Sequence, residues 1–201
     1  MNYIELDKKN IIATGGERDC YIHPECSQKL IKIAHTKTDT NQMEDIYMTY
    51  LNTKNISFLN IAKYYGQINT NFGKGLVYEL VLDYNNKISK TFRYYMANDL
   101  LPYKIQIQLL NELKLYLQNN NVVFIDNNLD NMLCKKVSQD KYRLVIVDGI
   151  GAKRMGFKLW MYQYSKIYSK YKINRQWQKL MLKFKLDRRV IEIIKQIEKV
   201  N

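Results

Sequence analysis

The chain has 201 residues, a length that fits one domain or two small lobes sharing a core. Hydrophobic residues make up 46% of the chain, which is ordinary for a globular protein and excludes an intrinsically disordered one. With 32 basic and 19 acidic residues the formal net charge is +13, which attracts phosphates, nucleic acid or anionic lipid headgroups without choosing among them.

The cysteine pattern and the hydropathy indicate the compartment. Cys20, Cys26 and Cys134 form no C-x-x-C pair, so neither a zinc site nor a disulfide framework is indicated. The N-terminal segment carries acids and lacks the apolar core of a signal peptide, and no apolar run is long enough to span a bilayer. We therefore expect a cytoplasmic protein with reduced thiols.

Three short strands are predicted near the N-terminus, at residues 11–14, 20–22 and 30–34. Gly15 and Gly16 lie between the first two, where glycine lets backbone N–H groups approach phosphate oxygens closely. Lys32 alternates with two isoleucines and so lies on the opposite face of its strand, where a kinase-like sheet presents a lysine to the α and β phosphates. The alternatives are an ordinary hairpin turn and a solvent-facing lysine.

A helix is predicted over residues 41–51, because apolar residues recur there at helical intervals. Glu44 lies in its first turns and could pair with Lys32, as a lysine and a helix glutamate do in protein kinases. The alternative is that this acid only compensates the helix dipole.

Two further strands are predicted over residues 60–65 and 75–82, joined by a polar turn at 69–74. The sequence then becomes polar at 83–86, where a hinge between two lobes would fall. We expect backbone groups beside this hinge, at Glu79 and Val81, to contact an adenine ring.

Beyond residue 89 the pattern is helical, and apolar residues repeat every four positions over 103–119, which predicts a long helix. Two apolar runs follow, at 122–125 and 144–147, and each ends in a carboxylate, Asp126 or Asp148. Asn131 comes five residues after Asp126. Buried strands that end in acids are costly to keep for packing alone.

This arrangement suits phosphoryl transfer, which needs a carboxylate that orients the attacking hydroxyl and two oxygen ligands for Mg²⁺. Protein kinases place the base and an asparagine at D-x-x-x-x-N and the second metal ligand in an Asp-Phe-Gly turn one hairpin later. Asp126 and Asn131 have the first spacing, and Asp148-Gly149 is a variant of the second.

The tail, residues 153–201, holds most of the excess basic charge, interleaved with aromatic residues as on a nucleic-acid-binding surface. However, Val190, Ile193, Ile194 and Ile197 fall on one helical face, which is typical of a helix docked on a core. We favour packed helices with a basic face over a nucleic-acid-binding arm. Such a face could hold an anionic acceptor or contact an anionic membrane surface.

Together these segments resemble the PhoP regulatory network protein YrbL family, bacterial proteins with a protein-kinase-like fold. The resemblance spans roughly residues 11–151, and its most distinctive element is R-x-C-Y-x-H-P, from Arg18 to Pro24. It implies a bacterial cytoplasmic protein related to kinases of the lipopolysaccharide core and of other small molecules.

The resemblance to kinases also implies residue roles. Asp126 would be the catalytic base and Asn131 and Asp148 the Mg²⁺ ligands. The expected nucleotide contacts, with Glu44 as the partner of the lysine, are Gly15, Gly16, Arg18, Lys32, Glu79 and Val81. Phe124 and Ile125 replace the usual His-Arg pair, Asn128 replaces a lysine, and no Ala-Pro-Glu segment follows Asp148. These departures favour a small-molecule kinase over a protein kinase.

The sequence therefore predicts an α+β, two-lobed, protein-kinase-like fold. Residues 1–82 would form an antiparallel sheet with one helix, and residues 83–201 a mainly helical lobe. The predicted function is ATP- and Mg²⁺-dependent phosphorylation of a sugar or lipid-linked saccharide hydroxyl. The alternatives are a pseudokinase that binds nucleotide or a partner for regulation, and a basic nucleic-acid-binding module.

Overall fold

The structure is a computed structural model that describes residues 3–35, 40–151 and 156–198. Residues 153–155 and 199–201 of the basic tail lie outside the described part. Along the described chain the strands and helices are β1 (Tyr3–Ile4), β2 (Ile11–Thr14), β3 (Arg18–Ile22), β4 (Lys29–Ala34), α1 (Thr40–Asn52), β5 (Tyr64–Thr70), β6 (Gly73–Glu79), α2 (Phe92–Ala97), α3 (Tyr103–Asn120), β7 (Met132–Lys136), β8 (Tyr142–Ile146), α4 (Phe157–Tyr164) and α5 (Lys166–Glu198).

The described residues form helices, one large sheet and one small sheet, which confirms the predicted α+β class. The large sheet has six strands in the order β1-β5-β6-β4-β3-β2, and β7 and β8 form a separate hairpin. Neighbouring strands are antiparallel except β1, which runs parallel to β5 with Tyr3 opposite Asn69. The sheet is thus mixed, and the predicted purely antiparallel sheet is wrong, because the two-residue β1 is too short to show a sequence pattern.

The strand predicted over 60–65 is wrong in its position. β5 begins only at Tyr64, and the polar turn expected at 69–74 shrinks to two residues before Gly73. A register shift between Tyr64 and Gly66 marks a β-bulge, and Gly66 has a φ of 103°. The bulge glycine and the polar residues after it interrupt the alternation of apolar and polar residues, so the sequence pattern does not predict this strand.

Two apolar clusters cover opposite faces of the large sheet. The larger one joins α1, α3, β8 and α5, and its fully buried members include Tyr47, Leu110, Leu113, Ile146 and Phe184. The smaller one lies on the other side of β4 and contains Ile4, Leu6, Tyr21, Ile31, Ile33 and Val77. Because side chains alternate along a strand, burial of the two isoleucines directs Lys32 to the face that carries α1.

The run at 122–125 is not a strand, although its residues are buried. It contributes one isolated bridge, Phe124 to Ile150, and the Val122 N–H donates to the Leu117 carbonyl at the end of α3 at 3.0 Å. The Val123 N–H donates to the Tyr47 hydroxyl at 3.2 Å. An apolar run alone does not tell a strand from an extended segment whose backbone is bonded to helices.

The described tail is helical, and one face of α5 packs into the core through Ile173, Trp177, Leu180 and Phe184. The face with Val190, Ile193, Ile194 and Ile197 is not docked, since these side chains are 46–57% exposed. Helical spacing identifies a face but not the side that meets the core. Among the described helices, none combines the length and apolar content that crossing a membrane requires.

Candidate active site

Lys32 on β4 pairs with Glu44 on α1. The Lys32 Nζ lies 3.0 Å from the Glu44 Oε1, and the two residues are only 4% and 9% exposed. The ammonium also lies over the ring of Tyr78, 4.4 Å from its centroid. The expected contact between this lysine and the helix glutamate is therefore present, and neither side chain faces solvent.

Arg18, the first residue of β3, joins the same cluster. Its guanidinium donates from Nη1 to Glu44 and from Nη2 to Asp148, so it links the helix carboxylate to the acid that follows β8. A guanidinium fork suits such bridging because its donors point in fixed directions. Arg18 was expected to contact nucleotide, and the structure uses it inside a buried ion-pair network.

Asp148 completes the network. Its carboxylate lies 3.7 Å from the Lys32 Nζ and accepts the Gly149 N–H at 2.8 Å. Burial alone would raise the pKa of Asp148, but the charges of Lys32 and Arg18 lower it to about 2. The Lys32 Nζ also donates to the Val147 carbonyl at 2.6 Å, which fixes the lysine against the segment that carries Asp148.

Lys32 and Arg18 favour the ionised form of both carboxylates. Burial opposes the charge on Glu44, and Lys32 and Arg18 outweigh it, so the pKa of Glu44 is also lowered. Two cations and two anions thus neutralise one another in a largely buried space. Removing any one of the four leaves the others unbalanced, which is costly in a low dielectric.

Asp126 and Asn131 are held beside this network by one loop. The Asn131 Nδ2 donates to the Asp126 carbonyl at 2.8 Å and to its Oδ2 at 3.2 Å. The N–H groups of Ile125 and Asp126 both donate to the Gly149 carbonyl, at 2.8 and 3.0 Å. The structure therefore brings Asp126, Asn131 and the Asp148-Gly149 turn together, as the spacing predicts.

Gly149 is the residue on which this convergence depends. Its φ is +80°, and an added Cβ would lie 2.7 Å from the Asp126 carbonyl oxygen and 3.2 Å from the Asn131 Nδ2. Only glycine adopts this backbone conformation at no steric cost and leaves room for the loop. The glycine after the acid is thus explained by close approach of two backbone segments.

A second set of contacts, made by α2 and α5, supports the loop and has no counterpart in any sequence pattern. Arg93 on α2 lies 2.8 Å from Asp130 and 2.9 Å from Asp187 of α5, and it donates to the Asn128 Oδ1 at 3.2 Å. These residues are up to 94 positions apart along the chain. Only folding brings them together, so no local pattern could reveal them.

Asn131 and Asp148 are chemically suited to Mg²⁺. Because the amide nitrogen of Asn131 is turned to Asp126, its Oδ1 is the atom that could hold a cation together with the carboxylate of Asp148. Mg²⁺ in phosphoryl-transfer sites takes few protein oxygens and completes its shell with water and phosphate. The described residues contain no cluster of three or more His, Cys, Asp or Glu able to bind a metal.

The glycine turn and the hinge residues are held by backbone hydrogen bonds of their own. Gly15 and Gly16 form the exposed turn between β2 and β3, where the Gly15 N–H donates to the Arg18 carbonyl at 2.8 Å. Glu79 ends β6 and donates its N–H to the Lys63 carbonyl at 2.9 Å, while the buried Val81 accepts from the Ser89 N–H at 3.1 Å. The contacts of these four residues with nucleotide remain predictions.

The family model described as "PhoP regulatory network protein YrbL" matches residues 4–185. The chain is 32% identical over 156 residues to "Uncharacterized protein YrbL" of Escherichia coli (strain K12), and the match covers 74% of this chain and 73% of that protein. The protein of the same description from Shigella flexneri gives the same figures. This chain therefore belongs to the PhoP regulatory network protein YrbL family.

Proposed function

We propose that this chain is an ATP- and Mg²⁺-dependent phosphotransferase with a two-lobed, protein-kinase-like fold. Residues 1–82, with the large sheet and α1, would form the nucleotide-binding lobe, and residues 83–201 the mainly helical lobe. Because ATP is the donor, the reaction would take place in the cytoplasm.

One observation carries the proposal: the Lys32–Glu44 ion pair lies within reach of Asp148, and the Asp126–Asn131 loop is bonded to the residue after Asp148. Protein kinases need a lysine–glutamate pair and a metal-binding aspartate in place at the same time. A fold that kept these side chains only for stability would not need a base and an amide oxygen next to them.

Each side chain then has a task. Lys32 would hold the phosphates, and Glu44 would keep the lysine extended. Asp126 would accept the proton of the acceptor hydroxyl and orient its oxygen. Asn131 and Asp148 would hold Mg²⁺, which when bound neutralises charge on the phosphate oxygens.

The acceptor is proposed to be a sugar or lipid-linked saccharide hydroxyl. The sequence after Asp148 has no Ala-Pro-Glu segment of the kind that supports a peptide-binding activation loop in protein kinases. The basic helices α4 and α5 follow instead, and their charge favours an anionic acceptor.

Nucleotide binding is tested by thermal or urea unfolding with ATP and MgCl₂. A ligand at a hundred times its Kd should stabilise the protein by about 2.7 kcal/mol. A screen of phosphorylated sugars and core saccharides, read by ATP consumption, would then identify the acceptor. Absence of stabilisation by any nucleotide would contradict the proposal.

A second candidate is a pseudokinase with a regulatory role. The contact between Arg18 and Asp148 favours it, because the guanidinium holds a carboxylate that a metal ion would have to share. This candidate predicts stabilisation by nucleotide but no ATP consumption with any acceptor.

A further inference from the structure

The outward side of α5 is a long apolar surface. Six side chains on it are 46–62% exposed although all are aliphatic: Leu182, Leu186, Val190, Ile193, Ile194 and Ile197. They are separated by one, three or four residues, so they lie along one side of the helix. We call this side the outer face of α5.

The outer face of α5 is also strongly basic. Lys172, Arg175, Lys179, Lys185 and Arg189 fall on the same side by helical spacing, interleaved with the aliphatic residues. Of the acids of α5 whose side chains are described, Asp187 lies seven residues before Ile194 and Glu192 lies seven residues after Lys185, so both border this face, where they pair with Arg93 and Arg188. The five cations of the outer face therefore outnumber the two acids at its borders, and both acids are paired with other arginines.

These cations are close enough to oppose one another. Burial lowers the pKa of Lys172, and the charges of Arg175, Lys179 and Lys158 lower it further. Lys158 belongs to α4, and a single residue, Ser165, separates α4 from α5. A cluster of like charges that disfavours its own ionisation gains free energy when an anionic partner approaches.

The opposite side of α5 anchors the helix. Trp177, Leu180 and Phe184 are 0–7% exposed in the main core, and near the C-terminal end Lys195 pairs with Asp99. At 1.5 Å per residue the 33 residues of α5 extend over roughly 50 Å. The protein therefore presents a long, fixed ridge whose free side is both aliphatic and cationic.

We propose that the outer face of α5 binds the surface of an anionic lipid bilayer. Its aliphatic side chains would enter the boundary between headgroups and acyl chains, and its lysines and arginines would meet the lipid phosphates. A helix with one apolar side flanked by basic residues and lying in the plane of the interface is a known mode of peripheral binding. The inference does not depend on phosphotransferase activity.

Other occupants fit these observations less well. A second copy of the chain would bring the same cations against this face, and like charges placed opposite one another repel. Single-stranded nucleic acid binds by base stacking on aromatic rings, whereas the apolar residues of this face from Leu182 to Ile197 are all aliphatic. A lipid surface satisfies the charge and the aliphatic area together.

The test is sedimentation of the full chain with vesicles. One set contains phosphatidylcholine alone, and the other contains one part phosphatidylglycerol to three parts phosphatidylcholine. The test variant combines Leu182→Ser, Leu186→Ser, Arg175→Gln, Lys179→Gln and Arg189→Gln. The matched control removes the same number of leucines and of positive charges at exposed sites elsewhere: Leu59→Ser, Leu115→Ser, Lys74→Gln, Lys104→Gln and Lys141→Gln.

We expect the parent and the control to bind the anionic vesicles equally and the test variant to bind at least about tenfold more weakly. Melting curves should show that both variants fold, because every changed side chain is exposed. A parent protein that ignores anionic vesicles, or that binds an oligonucleotide or an acidic protein instead, overturns the proposal. Equal loss in the test and control variants overturns it too, since net charge alone would then explain the binding.

Discussion

Arg18 binds Asp148 across 130 positions of sequence, and the same guanidinium holds Glu44. The carboxylate proposed to hold a metal ion is therefore already engaged by a cation of the chain. A bound Mg²⁺ would have to share or displace this contact, so the ion-pair network and the proposed chemistry are linked through one side chain.

The first prediction concerns the pH dependence of stability. The pKa of Asp148 is lowered from 3.8 to about 2 in the folded state, so the unfolded chain takes up this proton first as the pH falls. The stability that Asp148 contributes is thus complete above about pH 4 and is lost as the pH falls toward 2.

Urea unfolding of the parent and of Asp148→Asn between about pH 6 and pH 2 measures this contribution. The difference in the free energy of unfolding should narrow as the pH falls. A difference that stays constant over this range would show that the ionised carboxylate is not stabilising.

The second prediction concerns Lys32→Met. Arg18 alone then faces Glu44 and Asp148, so the variant should fold with reduced stability, and the proposed phosphate contact is lost. ATP consumption should drop by roughly 10²-fold or more. Lys29→Met, three positions earlier on β4, removes a lysine that lies over the ring of Tyr65 and should keep the parent rate. Equal rates of ATP consumption in the two variants would show that Lys32 does not contact the phosphates.

The third prediction concerns Gly16→Ala. An added Cβ would meet nothing within 4 Å, so Gly16→Ala should leave the melting temperature unchanged. If the turn covers phosphates, the extra methyl group would stand between backbone and ligand and weaken ATP binding. Calorimetry of ATP binding to the parent and to Gly16→Ala shows whether the turn contacts the phosphates. An unchanged affinity would show that the turn lies outside the nucleotide site.

The fourth prediction separates a clash from backbone strain. Gly149→Ala would bring a Cβ within 2.7 Å of the Asp126 carbonyl oxygen, whereas Gly73, whose φ is also positive at +101°, has nothing within 4 Å. Gly73→Ala should cost about 1–3 kcal/mol from strain alone. Gly149→Ala should cost more and should also reduce activity, because Asp126 must move. Urea unfolding and ATP turnover of both variants measure the two effects, and an equal loss of stability would contradict the close approach.

Much of the site could be predicted because its signals are local. Alternation with two isoleucines set the face of Lys32, and the intervals around Glu44 placed it in the first turns of a helix. The spacing from Asp126 to Asn131 is a property of one loop. Their proximity in the structure follows from a sheet and a hairpin that the apolar runs indicate.

The rest depends on contacts distant in sequence. Arg18 follows a glycine turn, where an arginine is usually exposed, so nothing local predicts that it bridges Glu44 and Asp148. Arg93 meets Asp187 only because α2 packs on α5. The exposed side of α5 was misread for a related reason, since helical periodicity gives two faces and the fold decides which one is covered.

The central claim is that Asp148 serves phosphoryl transfer, and Mg²⁺-dependent ATP turnover by the parent and by Asp148→Asn tests it most directly. The account predicts that the parent turns over ATP and that the variant, which folds at neutral pH, loses roughly 10²-fold or more of that rate. An Asp148→Asn protein that hydrolyses ATP as fast as the parent would contradict the account.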